Sequence, residues 1–170
     1  MFETVIWIIF GVTIGSFVNV CLDRLPLQFA DDEKRQCLLN DNQAAPLLKE
    51  HLLNRTLSIF SPARSFCFSC GSQIHWFENI PLFSFLLNRA CCRNCSTKLD
   101  SRLFWTEFLH GLWYAGLGWF FTGWITAFLF SINFSFLWIL GYCWPCRQLQ
   151  KSLLFAAAVL LTLNFIIYFS

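Results

Sequence analysis

"TVIWIIFGVTIGSFVNVCL", residues 4–22, decides the class of this chain: it contains no Asp, Glu, Lys, Arg or His. As a helix it would rise about 28 Å at 1.5 Å per residue, close to the ~30 Å thickness of a bilayer's hydrocarbon core. It therefore predicts a first transmembrane helix. The whole chain agrees, since 170 residues that are 56% hydrophobic, 19% aromatic and only 13% charged are too apolar for an ordinary soluble domain. Membrane lipid is the expected surrounding. The formal net charge is +2, with no basic run of the kind that binds polyanions, so nucleic acid is excluded as a partner. Met1-Phe2-Glu3 is acidic and no A-x-A site follows the apolar run, so the span reads as retained rather than as a cleaved secretory signal.

Outward from that span, residues 103–142 carry a single charge, Glu107, and a turn signal at Thr122-Gly123 divides them into spans at 103–121 and 124–142. A fourth apolar stretch, 152–169, completes the expectation of an all-α polytopic membrane protein with about four transmembrane helices. Lys and Arg then set the orientation, because they gather in cytoplasmic connections. Arg24 follows the first span, Arg93, Lys98 and Arg102 precede the second, and Arg147 and Lys151 lie in the basic loop 143–151. The 23–102 segment is therefore expected in the cytoplasm, with the amino terminus, the 122–123 hairpin and the carboxyl terminus outside.

Within 23–102, "LLKEHLLNRTL" (47–57) reads as a short amphipathic helix with Leu48, Leu52 and Leu53 on one face, and no internal repeat is visible. Then come Cys67-x-x-Cys70 and, after a long spacer, Cys92-x-x-Cys95. Each C-x-x-C turn aims two thiolates at one point, the ligand pattern of a closed structural zinc site. The alternative is buried or disulfide-bonded cysteines, which a reducing cytosol disfavours. Cys91 competes with Cys92, but it would lengthen the second pair to C-x-x-x-C. "CWPC" (143–146) superficially resembles a thiol-disulfide motif without the strand and βαβ pattern that redox motif needs. His51, His75 and His110 show no ligand spacing.

"GSFVNVCLDRLP" (15–26), "FCFSCGSQIHWFENIPLFSFLLNRACCRNC" (66–95) and "SRLFWTEFLHGL" (101–112) together resemble the amino-terminal half of the prepilin leader peptidase and N-methyltransferase family. Gly15, Asn19, Arg24, Pro26, Asn79, Pro81, Arg102 and Glu107 stand at its motif positions. The resemblance implies a bacterial inner-membrane enzyme that removes the leader of type IV prepilins and type II secretion pseudopilins and methylates the new amino terminus with S-adenosylmethionine. It also implies a cytoplasmic cysteine loop that binds zinc through Cys67, Cys70, Cys92 and Cys95.

The chain departs from the family in its chemistry. The aspartic peptidase of the family needs two carboxylates, in D-x6-P-[DN] and G-x-G-D patterns, and neither is present. In the best alignment of "YCWPCRQLQKSL" Cys143 replaces the first aspartate, and Gln150 and Lys151 replace the proline and acid. No Asp or Glu follows Glu107, which leaves Asp23, Asp100 and Glu107 with no dyad spacing, so the catalytic residues are unknown. Glu107 also reads as a structural acid pairing with Arg102, and Asn19 as a helix–helix hydrogen-bonding group. Ala90 stands where the family commonly has glycine, and the eight glycines form no nucleotide-binding loop. Gly11-x-x-x-Gly15 and Gly111-x-x-x-Ala115 are small-residue spacings that suit close helix packing. The expectation is a family member truncated or disrupted after its amino-terminal half, without peptidase activity of its own. The alternatives are a non-catalytic module that binds prepilins or a partner subunit, and a zinc-stapled membrane protein of unrelated role.

Overall fold

The computed structural model describes residues 2–143 and 147–169. They are all-helical: α1 (Phe2–Gln28), α2 (Asp32–Asn40), α3 (Pro46–Leu53), α4 (Phe83–Leu87), α5 (Arg102–Phe120), α6 (Trp124–Tyr142) and α7 (Arg147–Phe169), with a 3-10 turn at Trp76–Asn79. No strand occurs among the described residues, only two isolated bridges. The chain divides into two compact units, residues 1–19 with 105–170, and residues 20–104.

The first unit is built from long apolar helices. Three stretches are long and apolar enough to cross a membrane, Glu3–Gln28, Trp124–Tyr142 and Gln150–Ile167. α5 has the length of a span, but Arg102, Glu107 and His110 dilute its apolar character. Its polar positions Thr106, Glu107 and His110 are buried instead. Small residues let α1 and α5 approach closely. A Cβ on Gly11 would meet the His110 carbonyl oxygen at 2.5 Å, and one on Gly15 would meet Glu107 Cα at 2.8 Å. Gly111 faces Val12. The Gly11 and Gly15 spacing therefore marks a backbone contact, and Gly111 makes room for the Val12 side chain, the packing that drives helix association where the solvent is as apolar as the side chains. Across α5 and α6, Tyr114 Oη and Ser135 Oγ hydrogen-bond at 2.9 Å, satisfying two buried hydroxyls.

The second unit is small. Ala45, Leu48, Leu52, Leu57 and Phe66 form its buried core, and Leu27, Leu38, Leu39 and Phe68 pack around them. α2 starts where the Asp31 carboxylate accepts from the Lys34 amide at 2.9 Å, an N-cap that leaves Asp32 and Glu33 at the positive end of the helix. α3 starts on Pro46, whose missing N–H costs nothing in a first turn. One expectation fails here: Leu48 and Leu52 are buried, but Leu53 is 65% exposed. One residue turns the helix by 100°, so Leu53 points away from the face that its neighbour Leu52 shares with Leu48.

α1 continues past the apolar run through Asp23 and Arg24 to Gln28. Pro26 lies in its last turn, where only one intrahelical bond is lost. This extension brings Arg24 into the second unit as a buried cation. Its guanidinium donates to the carbonyls of Ser58 (3.0 Å), Pro62 (2.8 Å) and Arg64 (3.3 Å), with Ile59 at 3.5 Å. Five N–H donors in a rigid fork suit such a cluster, and they fix the 58–64 loop that leads into Cys67.

Candidate metal centre

Each C-x-x-C stretch folds as a knuckle, and the two knuckles repeat bond for bond. The Cys67 amide donates to the Ser72 carbonyl at 2.9 Å and the Gly71 amide to the Cys67 carbonyl at 2.8 Å. Twenty-five positions on, the Cys92 amide donates to Thr97 at 2.8 Å and the Ser96 amide to Cys92 at 2.8 Å. The flanks repeat too, with Ile74 bonded to Ser65 (2.9 Å) and Leu99 to Ala90 (2.7 Å). Both knuckles turn on a left-handed residue, Gly71 at φ +76° and Ser96 at φ +57°. The second lacks the glycine that accepts this conformation freely, so it is the more strained of the pair.

This is an internal repeat that the sequence reading missed. The signal was present: "FCFSCGSQI" (66–74) and "CCRNCSTKL" (91–99) share C-x-x-C, then a small residue, a hydroxyl residue, a polar residue and an apolar residue. The repeat also selects Cys92 over Cys91, because Cys92 is the equivalent of Cys67. Cys91 is the equivalent of Phe66 and occupies the isolated bridge with Lys98.

The knuckles bring four sulfurs together. Cys67 Sγ lies 3.8 Å from Cys95 Sγ and Cys70 Sγ lies 4.0 Å from Cys92 Sγ. All four lie within 4.8 Å of one another, a cluster that could hold a metal ion. These separations exceed a disulfide's ~2.05 Å. They match the ~3.8 Å edge of a tetrahedron with metal–sulfur bonds of about 2.3 Å, so the donor set and its size fit zinc.

Polar groups around the sulfurs are equally paired. The Ser72 hydroxyl lies 3.0 Å from Cys70 Sγ and the Thr97 hydroxyl 3.1 Å from Cys95 Sγ. Asn94 Nδ2 donates to Cys70 Sγ at 3.6 Å. The Ser72 hydroxyl and amide, with the Asn94 amide group, hold the Cys70 thiol down to about 6. Burial pushes Cys67 up to about 12, against the backbone amides of Cys70 and Ser69. Burial also works upward at Cys92, but the amides of Cys95 and Asn94 outweigh it and that thiol sits low. Thiol protons and a divalent cation compete for the same sulfurs, and a cation would displace the protons that remain.

Of the other residues singled out in sequence, Arg102 receives two carboxylates. Asp23 Oδ1 pairs with Arg102 Nη2, and Asp100 Oδ2 lies 3.7 Å from Arg102 Nε. Asp100 also accepts from the Arg102 amide at 2.9 Å, which starts α5. The first and last turns of the segment are therefore tied through one guanidinium. Asp23 and Asp100 are not arranged as two acids sharing a proton, because a cation sits between them. Gly15, Asn19 and Glu107 are buried in the first unit. Asn79 ends the 3-10 turn and Pro81 follows it.

The histidines take structural positions. His51 Nδ1 bonds the Thr56 hydroxyl at 2.7 Å, His75 stacks on Phe77, and His110 Nδ1 donates to the Thr106 carbonyl at 2.7 Å. The "CWPC" motif lies outside the described residues at 144–146; Cys143 itself is buried. Gly11, Gly15, Gly111 and Gly118 are closed by neighbouring side chains or backbone, and Gly71 turns a knuckle, so none opens a nucleotide-binding loop.

Comparison with known proteins places these features in a family. Residues 9–121 match the bacterial peptidase A24 N-terminal domain. The prepilin leader peptidase/N-methyltransferase of Neisseria gonorrhoeae is 31% identical over 134 residues, 74% of this chain and 45% of that protein. Its counterpart in Vibrio cholerae is 30% identical over 125 residues, 74% of this chain and 41% of that protein. That of Burkholderia pseudomallei is 34% identical over 111 residues, 64% of this chain and 34% of that protein. The chain thus spans less than half the length of these curated relatives. No solved structure matches it significantly. With both knuckles and the α1 and α5 motifs inside the matched region, the chain belongs to the bacterial prepilin leader peptidase/N-methyltransferase family, in its amino-terminal domain.

Proposed function

We propose that this chain is the substrate-facing half of a prepilin-processing enzyme of the bacterial inner membrane, and that it does not cleave the leader by itself. Cys67, Cys70, Cys92 and Cys95 would hold one zinc ion, which supplies a rigid closed crosslink and leaves no position for a reactive water. The protein's own groups do the rest. Arg24 gathers the loop before the first knuckle, and Arg102 ties Asp23 to Asp100 at the two ends of the segment. The result is a pre-shaped cytoplasmic surface for prepilins or pseudopilins. In this reading α1, α5, α6 and α7 each cross the bilayer, with the Lys and Arg between 24 and 102 on the cytoplasmic side together with Arg147 and Lys151, which lie in the first turns of α7 and not in a 143–151 loop.

The observation that carries the reading is the pairing of Asp23 and Asp100 on one guanidinium, in a sequence with no acid after Glu107. An aspartic dyad needs two carboxylates facing each other across a shared proton, and here the Arg102 guanidinium takes both instead. The non-catalytic alternative, a module that docks prepilins or a partner subunit carrying the aspartates, differs only in where the carboxylates come from.

The test is reconstituted protein mixed with an intact prepilin, leader removal followed by mass. No cleavage with retained co-purification of the prepilin is the expected result. Leader loss that survives replacement of Asp23, Asp100 and Glu107 would contradict it. Reporter fusions at residue 60 and at 122–123 test the sidedness, with cytoplasmic activity expected at the first and external activity at the second.

A further inference from the structure

Between the knuckles, α4 presents an apolar face that the protein leaves uncovered. Phe83 is 54% exposed, Leu86 65% and Leu87 62%, with Ile80 beside them at 40%. Residues 83, 86 and 87 fall at i, i+3 and i+4, one side of a single helical turn. Its opposite side is fastened: the Phe85 ring packs on Phe104 with centroids 5.6 Å apart. Phe104 is the third residue of α5, so the turn is held at the mouth of that helix.

Backbone and charge point the same way. Leu82 at φ +59° precedes the turn, and Arg89 at +50° and Ala90 at +56° follow it. Left-handed non-glycine residues are disfavoured, so three of them bracketing five residues mark sharp, fixed bends where the chain enters and leaves α4. Arg89 follows it directly and is exposed, Arg93 is exposed with its guanidinium 5.8 Å from the Phe77 ring of the neighbouring 3-10 turn, and Lys98 is exposed on the second knuckle. The one acid between 76 and 98, Glu78, is engaged by the His75 amide at 2.9 Å. An apolar patch rimmed by cations, fixed to the entry of a membrane helix, suits one environment above others. Its apolar tip enters the acyl boundary while its arginines meet anionic headgroups.

We infer that the α4 turn is an interfacial anchor, its Phe83, Leu86 and Leu87 face lying in the headgroup region of an anionic bilayer. This rests on the reading that α5 crosses the membrane, which the reporter fusions test separately. The anchor would orient the knuckles against the membrane surface, where a membrane-borne substrate must be met.

The test uses the full chain in vesicles of phosphatidylcholine with phosphatidylglycerol. Leu86 is exchanged for a fluorescent non-natural residue, and Gln36 on α2, also exposed, serves as the water-facing control. At an insertion depth of about 5–10 Å, bromines on the upper acyl chain should quench position 86 several-fold more than aqueous iodide does. Position 36 should show the reverse. Iodide quenching at 86 without bromine quenching overturns the anchor, and protection from both quenchers overturns it in favour of a protein-covered face. Arg89→Glu with Arg93→Glu leaves the buried core untouched. It should reduce bromine quenching in the anionic vesicles and not in pure phosphatidylcholine; unchanged quenching in both would overturn the anionic-headgroup assignment.

Discussion

The two units of this chain solve the problem of holding together in different ways. In the membrane-type unit, large side chains lie exposed along the helices, among them Leu112, Trp119, Phe120, Trp124 and Phe155. Cohesion there comes from backbone approach at Gly11 and Gly15, from the Val12 side chain seated against Gly111, and from buried hydroxyl pairs such as Tyr114–Ser135. Among the described residues, the loop part of the 20–104 unit has a buried cluster of five, Ala45, Leu48, Leu52, Leu57 and Phe66. A core that small does not offset the entropy of ordering so many loop residues, which is why such segments carry staples. Here the staples are polar: the four-thiol cluster, the Arg24 carbonyl nest and the Asp23–Arg102–Asp100 bridge.

Metal removal should separate the units most sharply. Structural zinc sites contribute on the order of 10 kcal/mol. Cys67→Ser with Cys92→Ser, or a strong chelator, should therefore expose 60–99 to hydrogen exchange while α6 and α7 stay protected. Equal loss of protection in both would mean that the units are not held independently. Protons and the metal ion compete for the same thiolates, so this stability is present at neutral pH and lost as pH falls and protons displace the ion. Acidification should thus release metal and loosen 60–99 first.

Next in size, Leu52→Ala should cost about 3 kcal/mol by leaving a cavity among Leu48, Leu57 and Phe66. Denaturant melts of the metal-bound protein check it, and the loss should register in the loop unit. Its counterpart is Gly15→Ala, where the new Cβ would sit 2.8 Å from Glu107 Cα. About 2 kcal/mol of overpacking should appear as weakened association of α1 with α5, read by protease sensitivity in detergent. An unaffected α1 would mean that close approach is not what unites that unit. The smallest effect belongs to Asp32→Asn. Its contacts with Arg35 and Arg55, at 3.1 and 3.5 Å, are solvent-screened and should be worth less than about 1 kcal/mol.

What could be read in the sequence follows the same division. Apolar runs announce helices because a bilayer-length stretch without charge has few other uses, and C-x-x-C spacing announces a thiol cluster because the turn itself aims the sulfurs. The inner organisation of 23–66 was hidden. α2 has its apolar residues, Leu38 and Leu39, only in its last turn, so periodicity does not reveal it, although Asp31 followed by Asp32 and Glu33 is a capping signal. Arg24's role could not be read at all, since its partners are backbone carbonyls 34 to 40 residues away and carbonyls leave no mark in a sequence. The knuckle repeat is legible in side-chain type at a spacing of 25 but is masked at the level of identity, because only the cysteines recur as the same residue.

The central claim is that four thiolates of two repeated knuckles close on one zinc ion. Protein purified with reduced thiols should contain one zinc per chain, and X-ray absorption should show four sulfurs at about 2.3 Å. The Cys91→Ser variant should leave both unchanged, while Cys92→Ser should lose a sulfur from the shell. Zinc-free protein with all four thiols open to alkylation, or a shell that loses its sulfur with Cys91 instead, would contradict the account.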